Sequence, residues 1–368
     1  MEFVNETGVA AGWTMGFERT GRELLIVAVK ATFCIPPESG EPTLDPKQIP
    51  LVEADTFTGE PGLSAPLYES DYAHHRPRCD VLVNGRAYAP RGHTVKRIKV
   101  AIRVGSMVKE FAVVGHRVWR SGALGIRASE PEPFEVMPIS YDNAFGGLER
   151  SKKDPSSART FLENPVGRGF SHSKQEIDGQ LMPNTEEVDR PVVDPAGAYR
   201  PMALGPLGRH WKPRAQYAGT YDQEWLDYRA PFWPNDFDYQ YFQCAPPDQQ
   251  VPHLRGGEEV VLRNLTPTGF AAFKLPSVPM PVWLIPRRGQ FTRVAPVIDT
   301  LLIEPDFERF MLTWRATIPM RRSCFDLKRV IAGQMSEAWQ RAQRYGNKPY
   351  YKGLAELVRV RGPRRPRR

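Results

Sequence analysis

Leu24 to Phe33 is an almost unbroken run of aliphatic and β-branched residues, the pattern of a strand covered on both faces. From Ile98 to Val104 the pattern becomes strict alternation, with Ile98, Val100, Ile102 and Val104 on one side and Lys99, Ala101 and Arg103 on the other. Gly105-Ser106 separates that run from a second, Met107 to Val114, which predicts a hairpin with a two-residue turn. Residues 1–140 therefore read as an N-terminal antiparallel β lobe.

The texture changes over residues 141–258. Periodicity fades into short phrases rich in Gly, Pro, Asn and aromatic residues, such as Ala144-Phe145-Gly146-Gly147 and Gly205-Pro206-Leu207-Gly208. Large aromatics interrupt the polar stretches too often for a flexible linker, so this region reads as loop-rich but ordered, with a helical turn or two between Tyr217 and Tyr228. Strand patterning returns over 259–320. Val282 to Ile285 and Phe291 to Val294 flank one predicted hairpin turn, and Val297 to Glu304 and Phe307 to Ala316 flank another. Over 321–346, Leu327, Val330, Ile331, Met335, Ala338, Trp339 and Ala342 fall at helical spacing, with Ser323 as N-cap and Gly346 as the stop. A short segment and an Arg/Pro tail occupy 347–368. The expected class is mainly β: antiparallel, sandwich- or barrel-like lobes at either end, bridged by the loop-rich aromatic region and followed by one C-terminal helix.

Composition sharpens this picture in three places. Thirty Gly and 36 Pro make about 18% of the 368 residues, against an average of roughly 12%, which favours turns and long ordered loops over long helices. The formal charge of +8 is concentrated at the end: Arg359 to Arg368 holds six arginines, and without them 44 basic residues face 42 acidic ones. A nearly neutral body carrying a solvated basic tail does not predict a nucleic-acid partner. Cys34, Cys79, Cys244 and Cys324 are scattered singly with no CxxC pair, the usage of free thiols in a reducing compartment. The first residues have neither a charged n-region nor an apolar h-region, and Leu24 to Val29, the longest apolar run, is too short to span a bilayer. A cytoplasmic protein without a membrane partner is the expectation.

Catalytic phrases are missing. There is no GxSxG elbow, HExxH pair, Walker loop or dinucleotide glycine fingerprint, and His74-His75, adjacent on an extended chain, would point to opposite faces. Neither a metal nor another cofactor is predicted. Asp222, Glu224, Asp236, Asp238 and Asp248 form an acidic group within the loop-rich region. Asp222, Asp236, Asp238 and Asp248 fit the loop-holding role, in which carboxylates accept backbone N–H bonds. A carbohydrate-active or metal-dependent hydrolase using Asp222, Glu224, Asp236 or Asp238 is the alternative. Aromatics are the strongest local anomaly, with 12 of the 44 residues from Tyr199 to Phe242. Such density builds a core under irregular loops, a protein interface or a sugar-binding cleft. Tyr221, Trp225, Phe232, Trp233, Tyr239 and Tyr241 are the candidate protein-binding residues.

An ordered succession of phrases carries a family resemblance: Arg76-Pro77 to Asp80, Asn84-Gly85, Ala87-Tyr88-Ala89-Pro90, Gly115-His116-Arg117-Val118-Trp119 and Tyr141-Asp142-Asn143-Ala144-Phe145-Gly146-Gly147. It continues through Asn164-Pro165-Val166-Gly167-Arg168-Gly169, Leu181-Met182-Pro183-Asn184, Gly219-Thr220-Tyr221-Asp222, Pro234 to Phe237 and Asp248-Gln249-Gln250. Over roughly residues 1–320 this resembles a bacterial domain-of-unknown-function family associated with type VI secretion. The resemblance implies an effector chaperone or adaptor. Its partners would be a toxin effector and the secretion spike, either the VgrG trimer or its PAAR tip. No catalytic residue comes with the resemblance.

Overall fold

The two longest strands, Glu23–Cys34 and Arg309–Pro319, pair antiparallel along their whole shared length and form the centre of the main sheet. The computed structural model describes residues 1–37, 40–123, 125–149, 158–172, 177–344, 351 and 354–361. Val297–Glu304 extends the main sheet on one side, followed by Cys79–Val83 in parallel and the short Gln250–Val251. Ala10–Phe17 forms the opposite edge, and Thr43–Leu44 pairs with the end of Glu23–Cys34.

Two further sheets cover one face of this one. The first contains Thr185–Glu186, Met107–Val114, Arg97–Val104, Glu259–Arg263 and Phe270–Lys274, all antiparallel. The second contains Glu2–Asn5, Leu327–Ala332, Val282–Pro286 and Thr292–Val294. Glu23–Cys34 is long enough to meet both: Leu25 and Val27 pack in the core under the four-stranded sheet, while Val29, Ala31 and Phe33 join the core under the five-stranded one. Phe273 stacks on Phe310 at 4.9 Å across the latter interface, and Phe310 stacks on Phe33 at 5.3 Å. The protein is strand-rich and layered, and among the described residues its sheets stay open rather than closing into a barrel.

All three predicted hairpins form. Val104 lies opposite Met107, with Gly105 at φ +56° making the turn, Val282–Pro286 pairs with Thr292–Val294, and Val297–Glu304 pairs with Arg309–Pro319. The strand-rich stretches at the two ends of the sequence do not separate into lobes, because both long sheets draw strands from each.

The predicted helix over 321–346 needs correction. Ser323 caps only a 3₁₀ turn, Cys324–Asp326, and Leu327–Ala332 is a strand between Glu2–Asn5 and Val282–Pro286. Leu327, Val330 and Ile331 fit helical spacing by coincidence. Val330 points into the core toward the main sheet and Ile331 to the opposite side, against Trp283 and Trp339. A strand buried on both faces loses the alternation that would have marked it. The helix itself is confined to Glu337–Arg344, and it lays Trp339 on the outer face of the four-stranded sheet. A second short helix, Leu354–Arg361, includes the start of the basic tail. Gly346 and residues 362–368 lie outside the described residues. No helix among those described is long and apolar enough to cross a membrane.

Candidate functional site

The face of the main sheet turned away from the other sheets is polar. Lys30, Asp80, Thr300, Glu304, Thr313 and Arg315 are all buried on it. Charges so placed cost several kcal/mol each unless paired, and segments 45–78 and 200–250 supply the partners. Lys30 donates to Asp71 at 2.8 Å, and Arg315 donates to the Asp71 carbonyl while also pairing with Asp299 of its own sheet. Glu69 accepts from Arg214 at 2.7 Å and Arg209 at 2.9 Å, with Arg76 at 3.7 Å. Burial by itself would raise the Glu69 carboxyl, but Arg214, Arg76 and Arg209 together hold it down at about 2. The same arginines grip backbone: Arg76 Nε donates to the Phe242 carbonyl at 3.0 Å and Arg214 to that of Tyr241 at 2.9 Å. An ionic layer thus clamps the aromatic segment onto the sheet.

Within that segment the aromatics divide into inner and outer rings. Phe237 and Phe242 are buried, Trp233 stacks on Phe237 at 4.3 Å, and His74 stacks on Phe242 at 5.0 Å. Trp233, Tyr239 and Tyr241 are half-buried at the margin of this cluster. Phe232 and Trp225 are also half-buried, and Tyr221 is exposed. Five of the 12 aromatics therefore form a small core under irregular backbone, Tyr199 and Trp211 are buried in neighbouring clusters, and the outer edge is available.

Four of the five acidic candidates hold backbone or a partner cation. Asp222 accepts from Trp225 N at 2.9 Å and caps the helix Gln223–Tyr228; Asp238 accepts from Gln240 N at 2.8 Å and caps the 3₁₀ turn Tyr239–Phe242. Asp236 accepts from Thr220 N at 3.0 Å and Thr220 Oγ1 at 2.8 Å. Asp248 pairs with Lys109 at 3.1 Å. Glu224 is exposed in the first turn of the Gln223–Tyr228 helix. The Thr220 bonds lower the Asp236 carboxyl, the opposite of what a general acid requires.

The aromatic segment is clipped to the edge of the main sheet. Trp233 Nε1 donates to the Phe17 carbonyl at 2.9 Å, Arg19 donates to the Phe237 carbonyl at 3.2 Å, and Phe232 meets Phe17 edge-on at 5.4 Å. Gly12 and Gly16 make room on this strand for Tyr72 and His74, and His74 in turn packs on Trp233 and Phe242 of the aromatic segment. A Cβ on Gly12 would run into the Tyr72 hydroxyl, and one on Gly16 into the His74 ring. On the opposite face of the same strand Met15 and Phe17 are 43% and 44% exposed, and Cys324 Sγ lies 3.0 Å from Met15 Sδ; the next residue in sequence, Phe325, is 58% exposed. At the other end Trp225 Nε1 donates to the Phe232 carbonyl at 2.8 Å, and Tyr221 packs on Trp225 at 4.8 Å. Met15, Phe17, Phe232, Trp225 and Tyr221 form one apolar strip, with the exposed Phe325 following Cys324 at its Met15 end and Leu226 and Tyr228 exposed on the helix at the other. Its free edge strand has no ladder partner beyond Glu23–Cys34 among the described residues. Sequence reasoning found the segment but missed Met15, Phe17 and Phe325. The alternation of Trp13, Met15 and Phe17 with Gly12, Thr14 and Gly16 was the available signal.

Elsewhere, a cleft of about 650 Å³ opens where the five- and four-stranded sheets meet, lined by residues from 252–255, 277–281 and 293–298. A smaller one of about 200 Å³ adjoins it, with His75, His253, Asp299 and Arg315 in its walls. His253 Nε2 lies 2.9 Å from the Arg76 carbonyl oxygen, and burial, reinforced by His253, pulls His75 down. None of the hydrolase candidates Asp222, Glu224, Asp236 and Asp238 lines either cleft. Burial pushes the Cys79 and Cys244 thiols up, and burial with Glu23 raises Cys324 to about 11, so none of these three is an activated thiolate. Among the described residues no group of three His, Cys, Asp or Glu side chains converges as a metal site.

A family model described as an uncharacterized protein conserved in bacteria (DUF2169) matches residues 20–315. No curated protein matches the chain, and no solved structure matches it.

Proposed function

The chain belongs to the uncharacterized bacterial family DUF2169, and from that premise we propose that it is a type VI secretion adaptor. In this reading it binds a toxin effector in the cytoplasm and helps load it onto the VgrG/PAAR spike. The observation that carries the binding part is the apolar strip from Met15 to Tyr221, set on an edge strand and a clamped aromatic segment. Exposed aromatic anchors on a rigid frame suit protein recognition, because Trp, Tyr and Phe bury large area at little conformational cost. The edge strand Ala10–Phe17 offers unpaired backbone to an incoming chain as well. The type VI assignment comes from the succession of phrases between Arg76 and Gln250.

Co-expression with the effector encoded beside this gene tests the reading. The expected result is a soluble, co-eluting complex that is lost in the triple variant Met15→Glu, Phe17→Glu, Phe325→Glu, while that variant melts within a few degrees of the parent. An effector equally soluble alone and never co-eluting would overturn the adaptor role. A complex that survives the triple variant would move the interface elsewhere.

A further inference from the structure

Two turns meet beside Phe325. Arg287 and Arg288 come from the turn after Val282–Pro286, and Arg321 and Arg322 from the stretch between Arg309–Pro319 and Cys324–Asp326. All four arginines, with Pro286 and Asp326, line one open cleft of about 720 Å³. The turns are locked together: Arg287 N donates to the Asp326 carbonyl at 2.9 Å, and its Nε donates to the Phe325 carbonyl at 3.0 Å. Asp326 contributes the one carboxylate in the lining, and Arg288, Arg321 and Arg322 make no ion pair with a described residue. Outside its tail the chain is almost neutral, so this is a local focus of positive potential rather than one part of a basic surface.

We propose that this cleft binds the carboxylates of an acidic segment of the partner protein whose apolar side chains lie on the neighbouring strip. Guanidinium forks match carboxylate geometry bidentately, and the two surfaces are neighbours through residues 324 and 325: the Phe325 carbonyl accepts from Arg287 of the cleft, and Cys324 Sγ touches Met15 of the strip. The inference rests on the docking role of the strip and adds the chemistry of what docks: apolar residues flanked by Asp or Glu.

A fluorescein-labelled peptide of alternating glutamate and phenylalanine serves as the probe, titrated by anisotropy against the full chain. Binding should weaken with rising salt. It should fall at least roughly tenfold in the variant Arg288→Glu, Arg321→Glu, Arg322→Glu, because three guanidiniums that would pair with the peptide's carboxylates become carboxylates that repel it. The corresponding Gln variant, with reduced charge contrast, should fall between the two and guards against a misfolded Glu variant. Equal binding by parent and Gln variant, equal binding of a lysine–phenylalanine peptide, or tighter binding of a single-stranded oligonucleotide of matched charge would each overturn the proposal. Peptide binding that depends on the arginines, combined with no effector complex, would sink the adaptor role and leave this site standing. The converse, an effector complex indifferent to the arginine variants, would sink the site alone.

Discussion

Glu69 illustrates how individual residues hold the site in place. It is buried among Arg76, Arg209 and Arg214, so Glu69→Gln leaves three guanidiniums short of their common counter-charge. Removing one partner of a buried ion network costs about 3–5 kcal/mol, and urea unfolding should show a loss of that size. The sign of its pH dependence follows from its lowered carboxyl. With an ordinary value of about 4.3 and a folded value of about 2, Glu69 stabilises the fold fully above the former, and this contribution is lost as pH falls through the latter. His74 acts on the same acid limb but earlier. Burial, then Arg209 and Arg315, lower its imidazole to about 4, against about 6.5 in the unfolded chain. The neutral ring therefore stabilises fully above the unfolded value and progressively less as pH drops toward 4. Thermal unfolding measured from neutral to acid should begin to decline near pH ~6.5, and in His74→Gln the decline should be shallower, with His75, also lowered by burial, sustaining the remainder. An unchanged profile shape in that variant would show that the ring is not held neutral. Gly16 tests the same contact from the other side: Gly16→Val should displace His74 from Phe242 and cost roughly 1–3 kcal/mol by calorimetry.

At the scale of elements, legibility in the sequence depended on how many faces each strand buries. Arg97–Val104 alternates visibly because Val100, Ile102 and Val104 are buried between exposed Lys99 and Arg103. Leu327–Ala332 lies between the main sheet and the Glu337–Arg344 helix, so apolar residues occupy both faces and imitate a helical stripe. That difference is measurable. Val330→Ala and Ile331→Ala should each cost about 2–4 kcal/mol in chemical denaturation, because each empties a separate packed layer. If only one of the two destabilises, the strand is not covered on both sides. The candidate site was legible to the same partial degree. Aromatic density flagged residues 199–242, and the loop-holding contacts of Asp222 and Asp238 are local enough to be anticipated from spacing. Which rings end up inside depends on His74 and Phe17, more than 140 residues away, and no window of sequence contains both sides of those contacts.

At the scale of the whole molecule, the topology ties the apolar strip to the integrity of the entire chain. Glu23–Cys34 and Cys79–Val83 find their partners in Arg309–Pro319 and Val297–Glu304, Arg97–Val104 pairs with Glu259–Arg263, and Glu2–Asn5 runs alongside Leu327–Ala332. The strip, with Phe325 at its Met15 end, inherits this interleaving, since Met15 and Phe17, Trp225 and Phe232, and Phe325 come from three distant parts of the sequence. A fragment of residues 1–140 would leave Leu25, Val27, Val29 and Phe33 facing water along a strand whose central partner is absent. Full exposure of such side chains forfeits roughly 1.5–3 kcal/mol apiece, which exceeds the whole stability margin of a typical domain within a handful of residues. Expressed alone, that fragment should be unfolded or aggregated and should not bind the glutamate–phenylalanine peptide. Co-expressed with residues 141–368, it should recover both solubility and binding. A fragment 1–140 with slow amide exchange across Glu23–Cys34 would show instead that the N-terminal strands hold a core of their own, and the strip would then have to be divided between two independently folding parts.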